Sequence, residues 1–145
     1  MSVRFKLDFF INPLVLSTVF LTALNDHYLK YKYPGIITGK ISDFTGLFYF
    51  SLFVVAVVLY VQTIVNRKTC VLSQRLLLGS IISIDIVFLI LKLHPQISQI
   101  FVFYFSKYFF SIKIVNDPTD LFALISSVIC YQYAKTFLPN SIKVE

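Results

Sequence analysis

Two polar stretches interrupt an otherwise apolar sequence, and they carry most of the side chains able to do chemistry. The first, residues 25–48, contributes Asp26, His27, Lys30, Lys40, Ser42 and Asp43. The second, residues 116–120, reads NDPTD and contributes Asp117, Thr119 and Asp120. Lysines beside a histidine and carboxylates can bind a lipid phosphate and act as acid or base, and carboxylates with water can bind a cation. The sequence therefore predicts a candidate ligand-binding site made from both stretches.

Asp43 and Asp117 also have a purely structural interpretation, as helix N-caps. Asp43 comes directly before an apolar run that starts at Phe44, and Asp117 comes directly before Pro118. An acidic side chain at this position accepts hydrogen bonds from free backbone N–H groups and suits the positive end of the helix dipole. Asp120 would be the third helical residue, where it can cap the same helix or face a ligand.

Asp26 and Asp85 are expected inside apolar helices, where a carboxylate costs about 3 kcal/mol on insertion scales and needs a partner. Asp26 has Lys30 one helical turn later, at the i, i+4 spacing of a helical ion pair. Asp85 has no such neighbour, so either it is protonated or its partner lies on another helix. The candidate partners are His27, Lys40 and Ser17. Two interpretations are open for these carboxylates. They belong to a binding site, in which case Asp85 is also a candidate ligand-binding residue, or they form a polar clasp, a buried polar contact that holds helices together.

Metal and catalytic motifs are not evident. The histidines are His27 and His94, and no H-x-x-x-H, H-E-x-x-H or C-x-x-C spacing occurs. Cys70 lies in a polar linker and Cys130 within an apolar segment, so a disulfide is not expected. There is no G-x-S-x-G sequence and no phosphate-binding loop. The sequence therefore predicts no metal site and no cofactor, assigns no catalytic residue, and leaves open whether the protein is an enzyme.

Composition indicates that lipid is the solvent for much of the chain. Hydrophobic residues make up 57% of the 145 residues and charged residues only 14%, with a mean hydropathy of +0.79. A soluble domain of this size would not hide so much apolar surface. The net charge of +6 is spread in ones and twos at the ends of apolar runs, which is typical of membrane spans. Nucleic acid is excluded as a partner on that ground, and membrane lipid is the expected one.

Apolar runs and helix signals divide the chain into a single transmembrane domain, residues 1–145. We predict an all-α, polytopic four-helix membrane bundle with an additional interfacial or re-entrant helix at about 96–112. The alternative for that segment is a fifth span. Asn12-Pro13 reads as an N-cap followed by the first helical residue, and Pro34-Gly35 predicts a turn in a loop from Lys30 to Ser42. The predicted spans are 13–29, 44–65, 76–93 and 118–138.

Four spans would place the two polar stretches on the same side of the membrane, because the loops that carry them are then separated by two crossings. The arginines, Arg4, Arg67 and Arg75, all fall on the other side, together with both termini. Positive residues favour the cytoplasmic side. We therefore expect cytoplasmic N- and C-termini in a bacterial inner membrane.

The polar stretches resemble known sequences. The patterns N-D-H-x-L-K, P-G-x-x-T-G-K-x-S-D-x-x-G-L and D-P-T-D-L-x-A-L, within residues 25–47 and 117–124, resemble a family of small bacterial integral-membrane proteins to which we attach no activity. More distantly, the layout is similar to VanZ-like membrane proteins, in which a charged motif opens one span and an acidic motif a later one. In residues 39–44 the lysine and aspartate stand in reversed order and the histidine of that motif is missing.

Three functions are compatible with the sequence. The leading hypothesis is a site on one face of the bundle for a lipid head group or a cation. The alternative is a non-catalytic accessory subunit of a membrane complex, in which the polar residues are helix caps and interhelical clasps. The third is an ion- or proton-coupled carrier, which at this length would need to form a homo-oligomer and would need an accessible Asp85.

Overall fold

The computed structural model describes residues 7–66, 71–108 and 114–138. Every regular element in these residues is helical and none is a strand, as the all-α prediction requires. The basic residues Arg4, Lys6, Arg67, Lys68 and Lys113, and also Cys70, lie outside the described residues. In chain order the elements are α1 (Pro13–Leu24), a π-helical turn (Asn25–Leu29), α2 (Lys30–Lys32), α3 (Ile36–Asn66), α4 (Gln74–Leu93), α5 (Pro95–Tyr108), a 3-10 helix (Pro118–Leu124) and α6 (Ile125–Lys135).

The first helix begins where the sequence predicts. Asn12 is the N-cap, its side chain accepts a hydrogen bond from the backbone N–H of Leu14 at 3.0 Å, and Pro13 follows as the first helical residue. The helical backbone then runs through the π-helical turn and α2 without a break. A π-helical turn holds an extra residue and often marks a functional site. Here it carries Asn25 and Asp26.

α3 begins at Ile36, so the predicted loop over residues 30–42 is wrong and the break between helices is limited to residues 33–35. The local cause is Thr38, whose Oγ1 accepts a hydrogen bond from the N–H of Gly35 at 3.1 Å and donates to the carbonyl of Tyr33 at 2.9 Å. A side chain at the third helical position that reaches back to the residue before the helix is one half of a capping box. Asp43 is therefore about two turns inside α3, and its predicted role as an N-cap is wrong.

α3 is the central helix of the protein, because α1, α4 and α6 all pack against it. Its buried positions Phe48, Leu52, Val55 and Leu59 follow the alternating three- and four-residue spacing of one helix face. They form one core with Val15, Leu77 and Cys130 from the surrounding helices. The π-helical turn and the 3-10 helix also contact α3, and the 3-10 helix contacts α4, so the polar residues that they carry lie near these helices.

α3 and α4 are long and apolar enough to cross a membrane. They contain the predicted spans 44–65 and 76–93, although α3 extends eight residues further toward the N-terminus than that span. The segment predicted as an interfacial helix at 96–112 forms α5 from Pro95 to Tyr108 and packs against α4, while residues 109–113 lie outside the described part. His94 ends α4, as predicted.

Leu52 is fully buried at the centre of this core, and its neighbour Phe53 is 43% exposed. We expect Leu52→Ala to lower the free energy of unfolding by about 2–5 kcal/mol, because it leaves a cavity in the buried core. Phe53→Ala is the matched control and should cost much less. Reversible unfolding in detergent measures both; equal losses would contradict the assignment of the buried face.

Candidate functional site

A surface cleft of about 820 Å³, here called the polar cleft, lies where the π-helical turn and α2, the start of α3, the end of α4 and the 3-10 helix come together. Its apolar part includes Ile36, Phe88, Leu91 and Val115. Its charged part consists of four carboxylates and three lysines, which leaves one negative charge in excess: Asp26, Asp43, Asp117, Asp120, Lys30, Lys40 and Lys92. The structure thus brings the two polar stretches of the sequence into one site.

The innermost groups form what we call the inner network: Lys92, Asp43 and Asp120. Lys92 Nζ lies 2.8 Å from Asp43 Oδ2 and 2.7 Å from Asp120 Oδ2, and its side chain is only 9% exposed. It also donates to the carbonyl of Val115 at 3.3 Å. Lys92 is on α4, Asp43 on α3 and Asp120 on the 3-10 helix, so one ammonium group connects three elements. A buried charge in this arrangement is satisfied on several sides, as burial requires.

Lys40 joins the inner network to the outer part of the polar cleft. Its Nζ lies 2.9 Å from Asp120 Oδ1 and 2.5 Å from Thr119 Oγ1, with Asp117 Oδ2 further away at 3.8 Å. Asp120 therefore binds one lysine through each carboxylate oxygen. Asp120 is thus ion-paired to two lysines and also lines the polar cleft.

Asp117 is the N-cap of the 3-10 helix, as predicted. Its Oδ1 accepts hydrogen bonds from the backbone N–H of Thr119 at 2.9 Å and from Thr119 Oγ1 at 2.8 Å. Both bonds stabilise the charged form and hold the pKa of the Asp117 carboxyl below its ordinary value. The backbone bond has the larger effect and the side-chain bond the smaller one. The cap is therefore fully formed above the ordinary pKa of aspartate and is lost only as the pH falls through the lowered value.

Asp26 lies in a separate hydrogen-bonded group at the other end of the polar cleft. Its Oδ1 binds Lys30 Nζ at 2.6 Å, the predicted i, i+4 pair, and accepts from Ser42 Oγ at 2.5 Å. Ser42 Oγ in turn accepts from Asn25 Nδ2 at 2.7 Å, and the same nitrogen donates to the carbonyl of Thr38 at 2.8 Å. The fully buried Asn25 thus connects the π-helical turn to α3 and holds the Asp26–Lys30 pair at the edge of the cleft.

Four of the predicted site residues do not line the polar cleft: His27, Ser42, Asp85 and Thr119. Thr119 instead contacts the lining residues Lys40 and Asp117. His27 is exposed and does not line the polar cleft, so it does not join the carboxylates. Ser42 does not line the cleft, but its hydroxyl donates a hydrogen bond to Asp26, which does. Asp85 also lies off the cleft: it accepts a hydrogen bond from Ser127 Oγ at 2.5 Å, so the suggested partners His27, Lys40 and Ser17 are wrong.

Lys92 and Asn116 are the important residues that sequence reasoning missed. Lys92 is a lysine at the end of an apolar run and belongs to neither polar stretch, yet it lies seven residues after Asp85 on the same helix face. Asp120 lies seven residues before Ser127, so the contacts Asp85–Ser127 and Lys92–Asp120 define an antiparallel register. Asn116 Nδ2 donates to the carbonyl of Leu91 at 2.8 Å and anchors the segment before Asp117 to the end of α4.

The outer groups of the polar cleft keep free hydrogen-bonding capacity. Within the described part of the chain, Asp26 and Asp117 each accept both of their short hydrogen bonds at Oδ1, and Asp117 Oδ2 lies 3.8 Å from Lys40 Nζ, too far for a hydrogen bond, so Oδ2 of each can accept from a donor. Within the described residues, Lys30 Nζ pairs with Asp26 alone, and an ammonium group has three N–H donors. Among those residues, no group of three His, Cys, Asp or Glu side chains is arranged to hold a metal ion. The cleft is equipped to bind a ligand that carries both a cationic and an anionic group.

Lys92→Met tests the inner network. We expect a loss of about 3–5 kcal/mol in the free energy of unfolding, because two neighbouring carboxylates lose the cation between them. Adding Asp43→Asn should restore part of that loss, since it removes one of the two like charges. Lys32→Met, on an exposed lysine outside the cleft, is the control. Wild-type stability for Lys92→Met would contradict a structural role for the network.

Comparisons with known protein families, with curated proteins and with solved structures find no match to this chain. The resemblance to small bacterial membrane proteins and the more distant resemblance to VanZ-like proteins therefore stay predictions from the sequence.

Proposed function

We propose that the protein is an integral membrane protein that binds a phospholipid head group in the polar cleft, and that the head group carries both an amine and a phosphate. The observation that carries this proposal is the pairing of unused carboxylate oxygens and unused lysine donors at the outer edge of the cleft, between the ends of apolar helices.

The apolar surface supports membrane insertion. Only 22% of the most apolar stretch of α4 and 39% of that of α3 is buried inside the protein, whereas the core helix of a soluble protein is mostly buried. Phe20 and Leu16 on α1 and Val128 and Ile129 on α6 are each more than half exposed. Soluble monomers rarely expose so much contiguous apolar surface. We propose that the segments 13–32 and 118–135 cross the bilayer beside α3 and α4, which gives the four-helix bundle predicted from the sequence.

The position of the polar cleft suits a head group. Asp26 is near the end of the first helical segment, Lys40 near the start of α3, Lys92 near the end of α4 and Asp120 near the start of the last segment. In a bundle of four successive crossings these ends share one membrane face, at the depth where head groups lie. On the predicted orientation this face is the outer one, in a bacterial inner membrane with both termini cytoplasmic.

The chemistry of the outer groups selects the head group. An amine would donate to Oδ2 of Asp26 or Asp117, and a phosphate would accept from Lys30 and from Lys40, whose side chain is 21% exposed. The excess negative charge of the lining favours a zwitterionic head group over a purely anionic one. A cation alone would leave the lysine donors unused.

One observation favours the accessory-subunit hypothesis as the second candidate. The inner network is buried and complete without a ligand, as an interhelical clasp would be. On that hypothesis the membrane-complex partner, not a lipid, would cover the cleft. No observation favours the oligomeric carrier, since Asp85 does not line the cleft; a homo-oligomer stays a prediction.

Native mass spectrometry of the purified protein with added phosphatidylethanolamine tests the proposal. We expect a bound lipid that Lys30→Gln and Asp117→Asn weaken by about tenfold each, the loss of one charge-assisted contact. Asn is as good an N-cap as Asp, so Asp117→Asn preserves the helix start. Lys32→Gln should bind as the wild type does, and phosphatidylglycerol, which lacks the amine, should bind less tightly.

Equal binding by Lys30→Gln, Asp117→Asn and Lys32→Gln would contradict the proposed site. Retention of a protein partner during purification, with no lipid bound, would favour the accessory subunit instead.

A further inference from the structure

An apolar groove of about 270 Å³ runs along α3 and α4 beside the polar cleft. Gly46, Leu47 and Phe50 of α3 form one wall, Ile84 and Val87 of α4 form the other, and Phe101 of α5 closes it. Its lining is mainly apolar, in contrast to the charged lining of the polar cleft. Nothing in the proposed head-group site accounts for this groove.

The groove and the polar cleft adjoin. Asp43, Phe88 and Leu91 line both of them, so the two cavities meet at these three side chains. The polar cleft lies at the helix ends. From there the groove passes Gly46 and then Phe50 on α3, and Val87 and then Ile84 on α4, toward the helix centres. A polar cleft beside an apolar groove that runs toward the helix centres fits an amphiphile, which has a polar head and an apolar chain.

We propose that this groove holds one acyl chain of the phospholipid whose head group occupies the polar cleft, so that the protein binds an intact membrane lipid rather than a free polar metabolite. This inference rests on the proposed function. The occupant follows from the shared lining of the two cavities: a chain attached to a head group in the polar cleft reaches the adjoining groove beside Asp43. Ser42 and Asp43 mark the polar mouth, and beyond them the lining becomes apolar.

Gly46 has no side chain and leaves open space in the wall of the groove. A Cβ placed at Gly46 would have no other atom within 4 Å, so a larger side chain there would enter the empty groove instead of displacing the protein. Gly79 on α4 is equally free of neighbours but lines neither cavity. Gly46→Leu and Gly79→Leu are therefore a matched pair: both replace a helical glycine with a good helix former, and only one fills the groove.

The experiment measures binding of two probes to detergent-purified protein by native mass spectrometry. The first probe is intact phosphatidylethanolamine, and the second is glycerophosphoethanolamine, which has the same head group without acyl chains. For Gly46→Leu we expect intact lipid to bind at least about tenfold more weakly than to the wild type, with binding of the chain-free probe unchanged. Gly79→Leu should bind both probes as the wild type does. Thermal stability of both variants checks that they are folded.

The outcomes separate the two proposals. If Gly46→Leu binds intact lipid as tightly as the wild type does, the acyl chain is not in this groove, and the head-group site still stands. If the wild type binds the chain-free probe as tightly as intact lipid, the ligand is a free polar molecule and the inference is again wrong. If neither probe binds to the wild type, the proposed function itself fails.

Discussion

The carboxylate of Asp120 is the interaction on which the rest of the site depends. One oxygen binds Lys40 of α3 and the other binds Lys92 of α4, and Lys92 continues to Asp43. Because these charges are largely withdrawn from water, each one is stable only while its partners are in place. The start of the last helical segment, the first turns of α3 and the end of α4 are therefore held at fixed distances from one another.

The charged cluster has two parts: the inner network, which connects the helices, and the outer groups, which are available to a ligand. The inner network satisfies itself, so removing a member should affect folding first. Asp26, Lys30 and Asp117 lie outside it with about two-fifths of each side chain exposed. They keep donors and acceptors that no other residue in the described ranges uses. The hypothesis of an interhelical clasp thus applies to the inner network, and the hypothesis of a binding site applies to Asp26, Lys30 and Asp117.

The apolar groove extends this division along the helices. Gly46 leaves open space on α3 directly below the polar cleft, and the aromatic rings of Phe50 and Phe101 border it. A charged cleft that adjoins an apolar groove is suited to a molecule that is polar at one end and apolar at the other. The same helices that would insert into lipid also create a position where one lipid could be held in a defined place.

Local signals in the sequence were sufficient for the helical class, for α4 and for most helix ends. Asn12-Pro13 and Asp117-Pro118 predicted caps correctly because capping involves only neighbouring residues. The predicted start of α3 is wrong because local patterns can fit more than one place. Ser42-Asp43 has the sequence of a cap, but the helix begins earlier, where the Gly35 N–H donates to Thr38 Oγ1. The i, i+4 pair of Asp26 and Lys30 was also readable, since both partners are on one helix.

Only the tertiary structure decided which charges meet. Lys92 looked like any lysine at the end of an apolar run, and its partners Asp43 and Asp120 lie 49 and 28 residues away in sequence. Asp85 likewise found Ser127, 42 residues later, because the antiparallel register of α4 and the last segment places them side by side. Sequence determined which residues carry charge and which faces are apolar. Packing of the helices on α3 determined the pairs, because long-range contacts depend on the rotation and register of whole helices, which no short pattern encodes.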